Sequence, residues 1–337
     1  MSDPGSFYPG LPADPPQPLP DPQIDPPHRV FVIVPQRRPY WLHALLFVLT
    51  VFTTLIVGAR LQYQFANGLP LFVQDDHFFS LSWALAEPGR LWLGLPFTCS
   101  VLGILLAHEF GHFIYSVRNR VYATLPFFIP APTPIGTMGA FIQIKSPFRT
   151  RNALFDIAIA GPIAGFAVAL PLGILGLMLS KAVPENSDAA MAIGYPLVFH
   201  AMHFFAGPRA PLPQLYLHPI AIASWVGMLA TSLNLLPGGQ LDGGHMVYAL
   251  APRMHKWITI VAMVALIPIG FFHWSGWIIW ALALFFTRHH PWVSKRPTLS
   301  PVRGILFWAG VALFAITFIP VPFDGVSLYD VWRQFHH

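Results

Sequence analysis

The feature that most restricts this chain is a set of apolar runs, long enough to cross a bilayer and almost free of charge. Trp41 to about Leu61 is the clearest of them, close to the ~20 apolar residues that a spanning helix requires. Charged residues make up 10% of the 337 residues and hydrophobic ones 55%, against roughly 25% charged in soluble domains. Too few polar side chains are present to cover a water-facing surface. The chain is therefore read as an all-α polytopic membrane protein with about 6–8 transmembrane helices.

Along the chain, Met1 to Pro39 stands apart: twelve of these residues are proline. Such a stretch cannot bury a core and is expected to be a disordered cytoplasmic tail. It has no basic start followed by an apolar core, so it is not a secretory signal. A second span is expected from about Arg90 to Val117 and a third from about Asn152 to Ser180. Between them, residues 121–146 hold Pro126, Pro130, Pro132, Pro134, Gly136 and Gly139, which forbid a regular helix. With the strand-like Gly139–Lys145 at its end, this region is read as a small β-hairpin or re-entrant loop. Met191–Pro213 is apolar but broken by prolines. A fourth span starts near His218 and is interrupted at Pro237-Gly-Gly239. Trp257–Phe286 holds Pro268 and Gly270 and is either one tilted helix or two short ones turning near His273. The last span is about Gly304–Ile319.

The formal charge is +5, but the basic residues lie between apolar runs, where they report orientation rather than nucleic-acid binding. With the N-terminus in the cytoplasm and Trp257–Phe286 as a hairpin, 14 of the 19 Lys and Arg fall on the cytoplasmic side and 5 on the other. As a single span that stretch would leave the split much closer to even. The bias favours the hairpin and a C-terminus outside.

Carboxylates are scarce enough to be informative. Between Arg90 and Ile319 only Glu109, Asp156, Glu185, Asp188 and Asp242 occur. Glu185 and Asp188 fall in a polar loop, and Asp156 reads as a helix-end charge close to Arg149 and Arg151. Glu109 and Asp242 lie deep in apolar sequence, where an ionisable group is costly and marks a functional site. Glu109 belongs to His108-Glu-Phe-Gly-His112. Residues four apart share a helix face, so both imidazoles can point at one metal ion with Glu109 beside them as a base, the pattern of zinc hydrolases. The bland reading is a polar cluster that bonds adjacent helices. A catalytic zinc site takes three protein ligands. Cys99 is the sole cysteine, so the third ligand must be Asp, Glu or His, and Asp242 is the strong acidic candidate. It follows Pro237 and lies among four glycines, in a helix break of the kind tolerated at membrane depth only where it lines a cavity.

Three segments together resemble the site-2 protease family of intramembrane zinc metalloproteases. They are His108-Glu-Phe-Gly-His112, Asn234-Leu-Leu-Pro237 with Leu241-Asp-Gly-Gly244, and the region from Gly139-Ala-Phe to Ala160-Gly-Pro-Ile-Ala164. Leu125–Leu179 is similar to the chloroplast-type branch and its bacterial relatives. The resemblance implies one zinc per chain on His108, His112 and Asp242, with Glu109 as catalytic base. It also implies that Asn234 helps hold the substrate carbonyl or oxyanion. The implied division is residues 40–90 as first helix and loop, 91–251 as catalytic core and 252–337 as C-terminal transmembrane helices. The implied reaction is hydrolysis of peptide bonds in or near the transmembrane segments of membrane proteins, with the bilayer as the other partner. A bacterial inner membrane is the expected location.

Other residues carry weaker expectations. His245, three residues after Asp242, is either a support for the ligands or an ordinary interfacial residue. His200 and His203 lack a carboxylate partner and are read as structural. Gly161-Pro-Ile-Ala-Gly165 is read as a close-packing helix face. Two rival readings are a membrane metal transporter, which would need a second polar site along a pathway, and a catalytically silent scaffold.

Overall fold

The computed structural model describes residues 40–69, 81–183, 193–290, 293, 298–324, 327–329 and 333. The proline-rich segment 1–39 lies outside them, as do Glu185, Asp188 and five of the basic residues used for orientation, Arg29, Arg37, Arg38, Lys295 and Arg296. The described residues are mostly helical: α1 (Trp41–Asn67), α2 (Leu81–Ala86), α3 (Leu95–Arg118), α4 (Arg151–Leu179), α5 (Leu197–Ala206), α6 (Pro219–Asn234), α7 (Asp242–Leu250), α8 (His255–Phe272), α9 (Gly276–Thr287) and α10 (Pro301–Thr317). Strands β1 (Phe127–Pro130) and β2 (Thr137–Phe141) form one antiparallel pair, and the two-residue strands β3 (Lys181–Ala182) and β4 (Leu215–Tyr216) another.

Four stretches are long and apolar enough to cross a membrane: α1, Pro88–Arg118 (a 3₁₀ turn running into α3), α4 and α8. Helices α5, α6, α9 and α10 are apolar but shorter. Val48, Val261, Phe286 and Trp308, on α1, α8, α9 and α10, are 61–74% exposed. Soluble monomers do not expose such surfaces over several helices, whereas lipid covers them at no cost. The chain is thus a multi-pass membrane protein. The stretch Trp257–Phe286 is two helices, α8 and α9, turning at His273–Ser275.

The bundle centre is α3, α4 and α6, which bury Phe97, Ile104, Leu177, Trp225 and Met228. Small residues bring these helices together. A Cβ at Gly111 of α3 would collide with the Ala160 carbonyl of α4, and Ser224 Oγ of α6 donates to the Ala169 carbonyl of α4 at 2.7 Å. Helix α4 starts at Thr150, whose side chain accepts from Ala153 N at 3.1 Å, an N-cap that satisfies one orphan donor. Asp156, read from the sequence as a helix-end charge near Arg149 and Arg151, takes its ion-pair partner from another helix. Arg303 of α10 grips it with two bonds, Nε to Oδ1 at 2.7 Å and Nη2 to Oδ2 at 2.6 Å.

The β1–β2 hairpin continues through the Ala123–Ile144 bridge, and its tip reaches far along α1. Thr53 Oγ1 donates to the Gly136 carbonyl at 2.6 Å. Thr53 lies twelve residues after Trp41, about 18 Å along the axis at 1.5 Å per residue. The hairpin therefore runs beside the N-terminal part of a membrane-length helix, reaching nearly to its middle. In β2 an extra residue is accommodated between the Phe128–Ala140 and Pro130–Thr137 pairs. This is a β-bulge, and Gly139 there takes φ +103°, a value that side chains other than glycine rarely adopt.

Candidate metal centre

His108 and His112 are buried on one face of α3, one turn apart. The packing beneath them is built with the same period. Gly161 and Gly165 of α4 are also four apart. A Cβ at Gly161 would fall on the His112 imidazole, and one at Gly165 would come within 3.1 Å of His108 Cβ. The two glycines are thus the floor on which the two rings lie. The sequence assigned them to helix packing alone; the matched spacing of His-x-x-x-His and Gly-x-x-x-Gly was the available signal. His112 Nδ1 donates to the Ile157 carbonyl at 2.7 Å, which fixes the ring and leaves Nε2 as the free lone pair.

Asp242 arrives from a different part of the chain. Helix α6 ends at Asn234, three residues before Pro237, and the chain folds tightly through Leu235–Leu241 before α7 opens on Asp242. The turn leaves no room for side chains at the following position: a Cβ at Gly243 would collide with the Leu235 carbonyl. Asp242 Oδ2 lies 3.4 Å from His108 Nε2 and 3.2 Å from His112 Nε2. The two Nε2 atoms are 3.1 Å apart. Ligands on a tetrahedral zinc, each about 2.0–2.1 Å from the ion, stand roughly 3.3–3.4 Å apart. The three atoms therefore form a triangle of the size of one tetrahedral face. A bis-imidazole and carboxylate donor set suits zinc, so the residues fit such an ion. This is the one triple of metal-ligating side chains of this kind among the described residues.

The other expected site residues surround this triangle. Glu109 is buried, and Ile142, just beyond β2, lines the same cavity. Asn234 Nδ2 lies 3.2 Å from His108 Nε2. A cavity of about 220 Å³ is lined by His108, Glu109, His112, Asn234, Asp242 and His245. His245 is not in the triangle; its Nδ1 lies 2.7 Å from Nε2 of His290. His203 Nε2 bonds the Pro208 carbonyl at 3.0 Å, a local role that agrees with the structural reading.

Fold and cluster define a multi-pass helical protein with a buried triad of a kind that could hold a metal ion. The family model described as Peptidase family M50 matches residues 96–273, which contain the triad, Glu109 and Asn234. The chain belongs to that family, the site-2 proteases. It is similar to the probable zinc metalloprotease EGY1, chloroplastic, of Oryza sativa subsp. japonica, at 29% identity over 88% of this chain and 51% of the relative. The protein of that name from Arabidopsis thaliana is 30% identical over 84% of this chain and 53% of the relative. The probable zinc metalloprotease EGY2, chloroplastic, of Oryza sativa subsp. indica is 27% identical over 92% and 57%. The chain thus spans about half the length of the curated relatives it matches. The expected likeness to the chloroplast-type branch is borne out. The expected bacterial inner membrane finds no support in these relatives, whose names place them in chloroplasts.

Proposed function

We propose that this chain is an intramembrane zinc metalloprotease that hydrolyses peptide bonds in or near the transmembrane segments of membrane proteins. The observation that carries the reading is the triangle of His108, His112 and Asp242, with a buried glutamate next in sequence to one ligand. In this reading those three residues hold one zinc per chain. Zinc supplies Lewis-acid activation of water and of the scissile carbonyl when bound. Glu109, which lines the cavity beside the triangle, takes a proton from the attacking water as the new C–O bond forms. It returns that proton to the leaving amine as the C–N bond breaks. The Asn234 amide donates to the carbonyl oxygen as negative charge builds there. The exposed edge of β2 offers backbone groups to an unwound substrate segment, whose peptide bonds would otherwise be hidden in its own helix.

The proposed membrane arrangement has seven crossings: α1, α3, α4, α6, α8, α9 and α10. The Asp156–Arg303 pair supports it by holding the N-terminal ends of α4 and α10 on one side, the side with the excess of basic loops. His112 precedes Arg118 by six residues, about 9 Å, so the chemistry lies within the bilayer but towards that side. Residues 91–251 are the proposed catalytic core, preceded by the first helix and loop (40–90) and followed by the C-terminal helices (252–337). The test is zinc content per chain in mild detergent followed by a proteolysis assay. Wild type should hold about one zinc, His108→Ala and Asp242→Ala should lose it, and Glu109→Gln should keep the metal but not cleave. Unchanged zinc in Asp242→Ala would remove that residue from the ligand set.

A further inference from the structure

A second cavity, about 140 Å³, shares His108, Glu109, Ala140 and Asn234 with the first but does not reach Asp242. Its further walls include Ile104, Leu105, Met138, Ala230, Thr231 and Trp280. On α6 the small residues Gly227, Ala230 and Thr231 leave space there, beside Leu233 and Asn234. The Thr231 hydroxyl donates to the Gly227 carbonyl at 2.8 Å, so its proton is already committed within the helix. The bulge at Gly139 keeps Met138–Ala140 along the opposite wall. Trp280 comes from α9, which begins at Gly276, beyond the family-matched residues 96–273. The cavity is therefore closed by a side chain that the family pattern does not reach.

A peptide whose scissile bond lies at Glu109 and Asn234 has side chains immediately on either side of that bond, and this cavity begins at those two residues. Its lining is apolar apart from the catalytic edge. Apolar cavities of about 150 Å³ hold a benzene ring, so a leucine, isoleucine or phenylalanine side chain fits. Alanine leaves most of the space empty and tryptophan exceeds it. We infer that this cavity is a side-chain subsite for an aliphatic or phenyl residue of the substrate flanking the cleaved bond, with Trp280 as the wall that limits its size. This rests on the protease reading above.

The test uses the full chain in liposomes and a set of single-span peptides that share a Gly-Pro helix break. The peptides differ only in the residues flanking the cleaved bond, and products are identified by mass spectrometry. A mismatched side chain in an apolar pocket costs about 10–200-fold. Wild type should accordingly favour leucine or phenylalanine over both alanine and tryptophan by at least about tenfold at one flanking position. Ala230→Leu should reverse this towards alanine, and Trp280→Ala should admit tryptophan. Ala230→Val and Trp280→Phe provide milder versions, and unchanged zinc content shows that each variant keeps its centre. A profile identical in wild type and the zinc-loaded variants overturns the subsite while leaving the protease reading intact. A second readout does not need cleavage: in Glu109→Gln, a peptide with photo-leucine at the flanking position should crosslink to α6 or α9. Crosslinking there with no cleavage by wild type would retain the subsite and sink the protease reading. Absence of the crosslink overturns the subsite.

Discussion

The fit between Gly161 and His112 gives a sharp prediction for Gly161→Ala. The added methyl would lie on the imidazole, within 2.6 Å of Cδ2, when carbon–carbon contacts settle near 3.5–4.0 Å. Either the ring or α4 must yield by about 1 Å. Backbone shifts of this kind cost about 1–3 kcal/mol. If the ring yields, its 2.7 Å bond to the Ile157 carbonyl is lost as well, and losing such an orienting partner typically weakens metal binding about 10–100-fold. Zinc affinity of Gly161→Ala should therefore fall about 10–100-fold, measured by competition with a chromogenic chelator in mild detergent. Gly103→Ala is the control. It is on the same helix as His112, and a Cβ there meets nothing within 4 Å. That substitution should leave zinc affinity unchanged and raise stability by about 0.5–1 kcal/mol, the usual gain from removing a helical glycine. Wild-type zinc affinity in Gly161→Ala would refute the idea that α4 forms the floor of the centre.

Three further outcomes are expected. Arg303→Ala should lower the melting temperature in detergent by an amount equivalent to about 1–3 kcal/mol, since the pair is half-buried and its loss leaves Asp156 uncompensated; adding Asp156→Asn should recover part of the loss. Chelation should lower the melting temperature and one equivalent of zinc should restore it, because an ion that binds only the folded chain adds to its stability. Phe141→Pro should impair cleavage while zinc stays bound, because proline removes a backbone donor from β2; undiminished cleavage would argue against strand addition at that edge.

The cluster of His108, His112 and Asp242 was legible because the membrane makes carboxylates rare. With only five in the long stretch from Arg90 to Ile319, Asp242 stood out although it is 130 residues from His112. The helical period placed His108 and His112 on one face with no further information. Other features depend on distant partners that no local pattern records. Asp156 has arginines at positions 149 and 151, yet its partner is 147 residues away. The hairpin was visible from its prolines and glycines, but its grip on α1 was not. The end of α6 was placed at Pro237, whereas the helix stops at Asn234, where the chain must already turn to bring Asp242 back. Trp280, one of eleven tryptophans, carries no local mark of its place on the wall of a cavity beside the centre.

The hairpin stands between two parts of the chain of different character. Near its tip, the Gly136 carbonyl is fastened to Thr53 in the middle of α1. Its second strand lends Ala140 and Phe141 to the wall of the cavity that holds Glu109. A sliding or tilting of α1 cannot leave the hairpin behind without giving up the bond at Thr53, and a hairpin that follows reshapes that wall. Helix α1 lies before the family-matched residues 96–273. The opening in which the base sits is thus strung mechanically to a helix that supplies none of the ligands.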